Sequence, residues 1–368
     1  MASFPASFVR GGTSNGLIID CAALPQDQAE WQPVLSSAMG SPDPYGRQLN
    51  GMGSGISSTS KICVISESNR DDADVDYTFV QVGIKGGDLD MAGNCGNMSS
   101  AVGPVAWDQG LANGIRKGDE MTVRMFNVNT SKIVHSTFSI NAKDSKYEPC
   151  GEYSIDGVPG NGSRITLSFQ DPAGSKTGKA LPTGNTIDTL DFLPDGTKIQ
   201  ASLVDVANPG VFVRAQDLDI PGDITPDILG ADSKIMARLE EVRRAGAQLM
   251  GLDPNVQSVP KTVLVSKTEG ENSEMNIVCR ALSMQQPHKA VPLTLALNLG
   301  TACKMPGTIP ATVAIGVDGK DSVVVAHASG KVEVGSVVKD GNVKSVLLHR
   351  TARVLMKGEV FYTLEHSD

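Results

Sequence analysis

The chain has 368 residues, 40% hydrophobic and 20% charged, with a formal net charge of −9; the length predicts two domains and the balance excludes extensive disorder. The acidic surplus, with no dense basic run, excludes a nucleic-acid binder, because neutralising phosphates takes clustered Lys and Arg. No apolar stretch reaches the roughly 18–20 residues a membrane helix needs and no cationic-then-apolar leader opens the chain, so no membrane is expected and the cytoplasm is the expected location.

Thirty-nine glycines and only 4% aromatics predict a strand-rich chain with many tight turns. From the N-terminus, a polar loop at Phe8–Gly16 (FVRGGTSNG) precedes a short helical candidate at Gln28–Met39. A second small-residue segment, Gly51–Ile65 (GMGSGISSTSKICVI), runs into a strand at Lys61–Ser66, followed by a strand at Tyr77–Ile84. A third such segment, Asp90–Ser100 (DMAGNCGNMSS), leads into a helical candidate at Asn97–Gln109, and strands follow at Met121–Val128 and Arg164–Phe169. Asp171–Asn185 (DPAGSKTGKALPTGN) lacks apolar periodicity and is expected to be a linker. Beyond it come strands at Ile199–Val206, Thr262–Val265, Ser322–Ala326 and Ser345–Leu348. The clearest helix is Asp232–Met250, with Ile235, Leu239, Val242 and Leu249 on one face and Asp232 or Ser233 as its cap. Strand runs with few helices predict an α+β fold rather than regular βαβ alternation. The expected domains are 1–180 and 186–357, with 358–368 able to return to the first.

Six cysteines, at 21, 63, 95, 150, 279 and 303, form no C-x-x-C pair and lie near no histidine at zinc-ligand spacing. Reduced thiols and no metal site are expected. The sequons at Asn97, Asn129 and Asn161 carry no weight without a secretory signal. Gly174–Lys179 (GSKTGK) is one residue short of a phosphate-binding loop and lacks its final Ser or Thr, and GMGSG at Gly51–Gly55 is not a dinucleotide fingerprint. The five histidines do not cluster and G-x-S-x-G is absent, so a serine hydrolase has no anchor.

The chemistry concentrates in the three small-residue loops. Cys95 stands directly before a predicted helix, where the macrodipole and unpaired N–H groups favour a thiolate and can also bind a carboxylate. Gly96 would let a ligand approach the backbone. Lys61, opening an apolar strand, can lose affinity for its proton through desolvation and serve as a base. Taken singly, a cysteine is more often a small buried hydrophobe and a strand-edge lysine a solvated one.

Together the loops resemble the 2-methylaconitate isomerase (PrpF) family of the diaminopimelate-epimerase-like superfamily. Arg10–Gly16 matches the family's R-G-G-T-S-K-G loop except for Asn15 in place of the usual Lys; Ser57–Lys61 matches S-S-T-S-K, and Asp90–Asn97 (DMAGNCGN) contains A-G-N-C-G-N. The likeness continues at Val204–Val213 (VDVANPGVFV), Met305–Thr308 (MPGT), His327–Gly330 (HASG) and Arg350–Gly358 (RTARVLMKG). The resemblance implies two similar domains, each a mainly antiparallel sheet around a central helix, with the active site in the cleft between them. It also implies cofactor-independent isomerisation of a small unsaturated di- or tricarboxylate of the aconitate, methylaconitate or methylitaconate type. A base removes a proton beside a carboxylate or conjugated alkene, charge spreads over the substrate, and reprotonation gives a cis–trans or allylic isomer. In this reading Lys61 is the principal base and Cys95 returns the proton or polarises the substrate. Ser14, Asn15, Thr59, Ser60, Asn94, Gly96 and Asn97 contact substrate, with Lys289 and Ser329 contributing from the second domain. Asn15 leaves the choice among aconitate, a methylitaconate-like acid and an oxo-dicarboxylate open.

Two other functions share these residues. An amino-acid epimerase or racemase would need a second cysteine facing Cys95, for which Cys303 is the one candidate. A non-catalytic carboxylate-binding accessory protein would use the same anion-binding loops without needing a thiol. The expected partner is the small-molecule substrate alone, with a homo-oligomer left open.

Overall fold

Strands buried on one or both faces, and two helices buried nearly all round, set the architecture in a computed structural model that describes residues 2–91, 93–191, 196–257, 259–268, 274–283, 285–339 and 342–364. The chain divides into two compact units, one running to Gln170 and resuming at His349, the other spanning Asp171–Leu348.

In the first unit, β1 (Ala2–Gly11) turns at Gly12–Thr13 into the antiparallel β2 (Ser14–Asp20). A crossover containing α1 (Trp31–Met39) delivers β3 (Lys61–Glu67) parallel to β2, setting Lys61 beside Gly16. β4 (Val75–Val82) returns antiparallel, placing Gln81 opposite Lys61, and the two-residue β5 (Leu89–Asp90) pairs with its end. α2 (Gly96–Gln109) carries the chain to β6 (Ile115–Lys117) and β7 (Glu120–Asn127), the latter parallel to β4, and β8 (Lys132–Ser139) and β9 (Ile165–Gln170) complete a meander. The C-terminal strand Ala352–Tyr362 pairs with β1 along its whole length.

α2 is the central helix. Gly96 and every residue from Met98 to Ala106 are buried, as expected of a helix enclosed by its own sheet. Its Gly, Ser and Ala residues admit close approach: a Cβ on Gly103 would stand 2.6 Å from Ser136 Oγ on β8. The expected start of the first helix at Gln28 is a separate 3-10 turn, Gln28–Glu30, with Asp27 accepting from Ala29 N–H.

The second unit repeats this order of pairings. β10 (Asp188–Leu190), β11 (Ile199–Val206) and β12 (Asn208–Arg214) are antiparallel neighbours. α3 (Pro226–Ala231) and α4 (Ser233–Leu249) lead to β13 (Lys261–Ser266), parallel to β12 with Lys261 beside Gly210. β14 (Ile277–Ser283) and β15 (Gln286–Pro287) follow, then the buried α5 (Leu293–Ala302) and the short α6 (Ile309–Val313). β16 (Ser322–His327) is parallel to β14, and β17 (Gly330–Lys339) and β18 (Asn342–Arg350) form the closing meander. Each unit is thus a mainly antiparallel sheet with two parallel junctions and a central helix, α2 or α5. Asp232 caps α4 through Lys234 and Ile235 N–H, as its position predicts. Among the described residues, no helix is long and apolar enough to cross a membrane.

The chain passes between units at 170 and 348, where the sequence reading drew limits at 180 and 357. Two contacts explain the shift. Asp171–Asn185 is not a free linker: the fully buried Asp205 carboxylate accepts from Lys176 N–H, Thr177 N–H and the hydroxyls of Ser175 and Thr177. GSKTGK therefore wraps an internal carboxylate, and donors that a phosphate would need are already engaged. At the other end, Ala352–Tyr362 is tied to β1.

Candidate active site

The three glycine- and serine-rich loops converge within the first unit. A Cβ on Gly11 would overlap the Asn97 carbonyl, one on Gly12 the Asn97 side chain, and one on Gly16 the Lys61 carbonyl with Met98 Cε only 2.9 Å away. Gly12 also has φ +52°, a conformation costly for residues with a Cβ. The first loop's glycines thus let it lie directly against the start of α2 and against Lys61.

Lys61 begins β3 half-buried, its Nζ 5.1 Å from the centroid of the Phe79 ring and donating to Gln81 Oε1. Gln81 Nε2 in turn donates to the carbonyls of Ser57 (3.1 Å) and Ser60 (2.8 Å). Ser60 is fully buried, its hydroxyl donating to Val82 O and accepting from Gln48 Nε2. Gln48, also fully buried, bonds Ser41 Oγ and receives Gly55 N–H, bracing the segment before Lys61. Thr59 Oγ1 donates to Ile56 O and accepts from Ser54 Oγ.

Cys95 is the half-buried N-cap residue of α2, in extended conformation and with no side-chain cap bond. The first N–H groups of the helix, from Gly96 onward, have no acceptor within the helix, so this end can receive an anion. Behind it, Ser99 Oγ lies 2.9 Å from Asn94 Oδ1 and 3.0 Å from Cys95 O, with Tyr77 OH at 3.1 Å. Ser99 has one hydrogen and faces two acceptors there, so Tyr77 is the donor to it. Burial holds the Tyr77 phenol well above the ordinary range.

Lys61 and Cys95 both act on the buried Cys63 thiol. Burial and then Cys95 push that thiol up, while Lys61 pulls it down. The two expected catalytic groups therefore share one electrostatic neighbourhood.

Asn97 links the loop and helix. Its Nδ2 donates to Thr13 Oγ1 (3.0 Å), and its Oδ1 accepts from Arg350 Nε (3.2 Å). Ser14 is buried opposite Gly11, and Asn15 is half-buried opposite Arg10. Arg10 holds the turn through Gly12 O and Thr351 O. Lys289 and Ser329 belong to the second unit: Lys289 is exposed before α5, and Ser329 is exposed in the β16–β17 turn with its N–H and hydroxyl 3.3 Å from His327 Nδ1.

The sequence reading did not single out Arg350, Gln81 or Gln48. Arg350 is 8% exposed, lies within electrostatic range of Cys95, and is lowered by burial to about 10, so it stays cationic at neutral pH. It stands in the quoted RTARVLMKG segment. Gln81 is the polar interruption of an apolar strand, and Gln48 carried no sequence signal. Among the described residues, no cluster of three or more His, Cys, Asp or Glu could hold a metal ion.

Cys303 does not resemble Cys95. It is 2% exposed at the C-terminal end of α5, and burial drives its thiol well above the ordinary range. The α5 position corresponding to Cys95 is Pro292.

Comparison with known proteins gives a consistent match. The family model described as "PrpF protein" matches residues 1–363. The 3-methylitaconate isomerase of Eubacterium barkeri is 36% identical, covering 97% of this chain and 96% of that protein. The (4E)-oxalomesaconate Delta-isomerase of Novosphingobium sp. (strain KA1) is 37% identical, covering 98% of each. A crystal structure of methylitaconate-delta-isomerase superimposes with a TM-score of 0.86 at 36% identity, covering 98% of this chain and 96% of that one.

Proposed function

The chain belongs to the PrpF family and is an isomerase of small unsaturated carboxylates, and from that premise we propose that Lys61 and Cys95 move the proton. The observation that carries this is the convergence of the Lys61 strand, the Cys95 helix start and the Gly11–Gly16 loop on one point of the first unit.

In the proposed reaction, neutral Lys61 takes a proton from carbon beside the substrate's double bond. The electron pair delocalises over the alkene and its carboxylate. A proton delivered to another carbon of that system, by Cys95 or by the lysine ammonium, gives the allylic isomer. Return to the original carbon after rotation gives the cis–trans isomer. The α2 N–H groups at Gly96 and Asn97 stabilise the carboxylate on which charge accumulates, since fixed donors need no reorganisation as charge develops. Arg350 adds a buried cation on the same side, offsetting the absent lysine at Asn15.

The bonding pattern refines the individual roles. Thr59, Asn94, Asn97, Ser14 and Asn15 remain the proposed substrate contacts, with Lys289 and Ser329 proposed from the second unit. Ser60 acts by its backbone and by bracing Gln48, since its hydroxyl is buried and already bonded on both sides. The racemase reading loses its second thiol to Pro292 and to the burial of Cys303.

The test is proton NMR in D₂O with cis- and trans-aconitate, itaconate, methylated itaconates and oxo-dicarboxylates. Isomer formation or deuterium uptake at carbon, abolished in Lys61→Ala, is the expected result. Saturable binding without exchange by any of these acids would instead assign a carboxylate-binding protein.

A further inference from the structure

The base proposed above is an amine at a strand end, with four rotatable bonds and three donor hydrogens when charged. Something must aim it. The Phe79 ring sits under the amine but sets no direction for an N–H bond. The directional contact is Gln81, directly across the β3–β4 ladder.

The orientation of this carboxamide is fixed by what surrounds it. Its nitrogen faces the carbonyls of Ser57 and Ser60, which can only accept, so the NH₂ group must point there. The oxygen is left facing Lys61. The same amide therefore ties down the Ser57–Ser60 turn leading into Lys61 and presents a neutral acceptor to the amine.

Neutrality matters as much as position. A carboxylate at this site would favour the ammonium form and withdraw the base at neutral pH. The amide orients the nitrogen without adding a charge. The titratable groups facing this region are Cys63 on β3, Cys95 at the start of α2, and Asp90, which stands opposite Gln81 on β5. β2 contributes Gly16 beside Lys61 and no ionisable side chain at that register.

We propose that Gln81 is a positioning residue for Lys61: a neutral acceptor, locked by two backbone carbonyls, that aims the amine without placing a charge beside it. The proposal rests on Lys61 being the base, and the test separates the two claims.

The experiment measures labelling of Lys61 by acetic anhydride against pH, quantified by peptide mass spectrometry, in the full-length protein and in Gln81→Glu and Gln81→Met. This readout needs no substrate. In Gln81→Glu the labelling midpoint should move upward by about one pH unit or more, because an adjacent carboxylate holds the ammonium. In Gln81→Met it should stay or fall. Turnover of whichever acid the wild type isomerises should fall at least about tenfold in kcat for Gln81→Met, with KM changing much less, since a misaimed base costs rate more than binding. Gln81→Glu should regain turnover as pH is raised.

An unmoved midpoint in folded Gln81→Glu, or wild-type kcat in Gln81→Met, overturns the proposal. If Gln81→Met fails to fold, Gln81→Glu, closest in shape, still decides through its midpoint. Retained turnover in Lys61→Ala would instead remove the assignment of Lys61 as the base, whatever the labelling shows.

Discussion

Gly16→Ala tests whether glycine here exists to let two strands carry Lys61 into place. The new Cβ would overlap the Lys61 carbonyl oxygen and come 2.9 Å from Met98 Cε. The methionine end can swing away, but the carbonyl belongs to the β2–β3 ladder and moves only if the strand moves. Overpacking of this kind costs about 1–3 kcal/mol, and the stiffer unfolded chain returns about 0.4–1 kcal/mol. The net loss is about 1–2 kcal/mol, which for a unit of this size lowers Tm by roughly 2–8 °C. Catalysis should suffer more, because a shift of about 1 Å in a reacting group can cost roughly 100-fold in rate. The assay is differential scanning calorimetry beside steady-state kinetics on an acid the wild type turns over. Gly358→Ala is the control, since a Cβ there meets nothing within 4 Å, and it should match or slightly exceed wild-type stability. Unchanged Tm and unchanged kcat in Gly16→Ala would refute the packing argument.

Cys303→Ala should keep turnover within about threefold, because a buried, high-lying thiol is a poor proton donor or acceptor at neutral pH; loss of activity in the folded variant would restore a two-cysteine mechanism. Arg350→Met should raise KM for an acid the wild type turns over by about three- to tenfold as the site loses a buried cation bonded to Asn97; an unchanged KM would place Arg350 outside the site's electrostatics. Burial is the first cause holding His135 and His288 below the ordinary histidine range. As pH falls through about 6.5 the unfolded chain protonates first, so the stability tied to these groups is full above that value and declines below it. A melting series from pH 8 to 5 should therefore decline less steeply in His135→Gln, and an identical decline would show that His135 carries none of it.

The chemistry was legible in the sequence where it is encoded locally. Cys95 before a helix and Lys61 before an apolar strand are readable because a few neighbouring residues define each setting. Gln81 could not be assigned that way, since its partner lies across a ladder whose register is a tertiary fact. Arg350 reaches Asn97 across 253 residues, beyond any local pattern. The clearest sequence helix, Asp232–Met250, observed as α4, is amphipathic because it covers a sheet with one face, whereas α2 hides its role by being small-sided and enclosed. Asp171–Asn185 read as a linker because its order comes from backbone donors meeting Asp205, which leaves no hydrophobic period to detect.

The pairing of β1 with the C-terminal strand has a consequence for biosynthesis. A ribosome delivers β1 before its edge partner Ala352–Tyr362, with the entire second unit made in between. The usual order, in which the N-terminal domain folds first, cannot be completed here. The inserted unit has all of its residues available before the first unit has its closing strand, and β1 keeps one exposed edge until residues 352–362 have been made. Because Gly12 N–H and Arg10 both bind Thr351 O, the turn beside Lys61 and Cys95 gains its anchor only at that late stage. Activity in a nascent or C-terminally truncated chain should therefore appear abruptly, once residues beyond 350 have emerged, rather than growing with length.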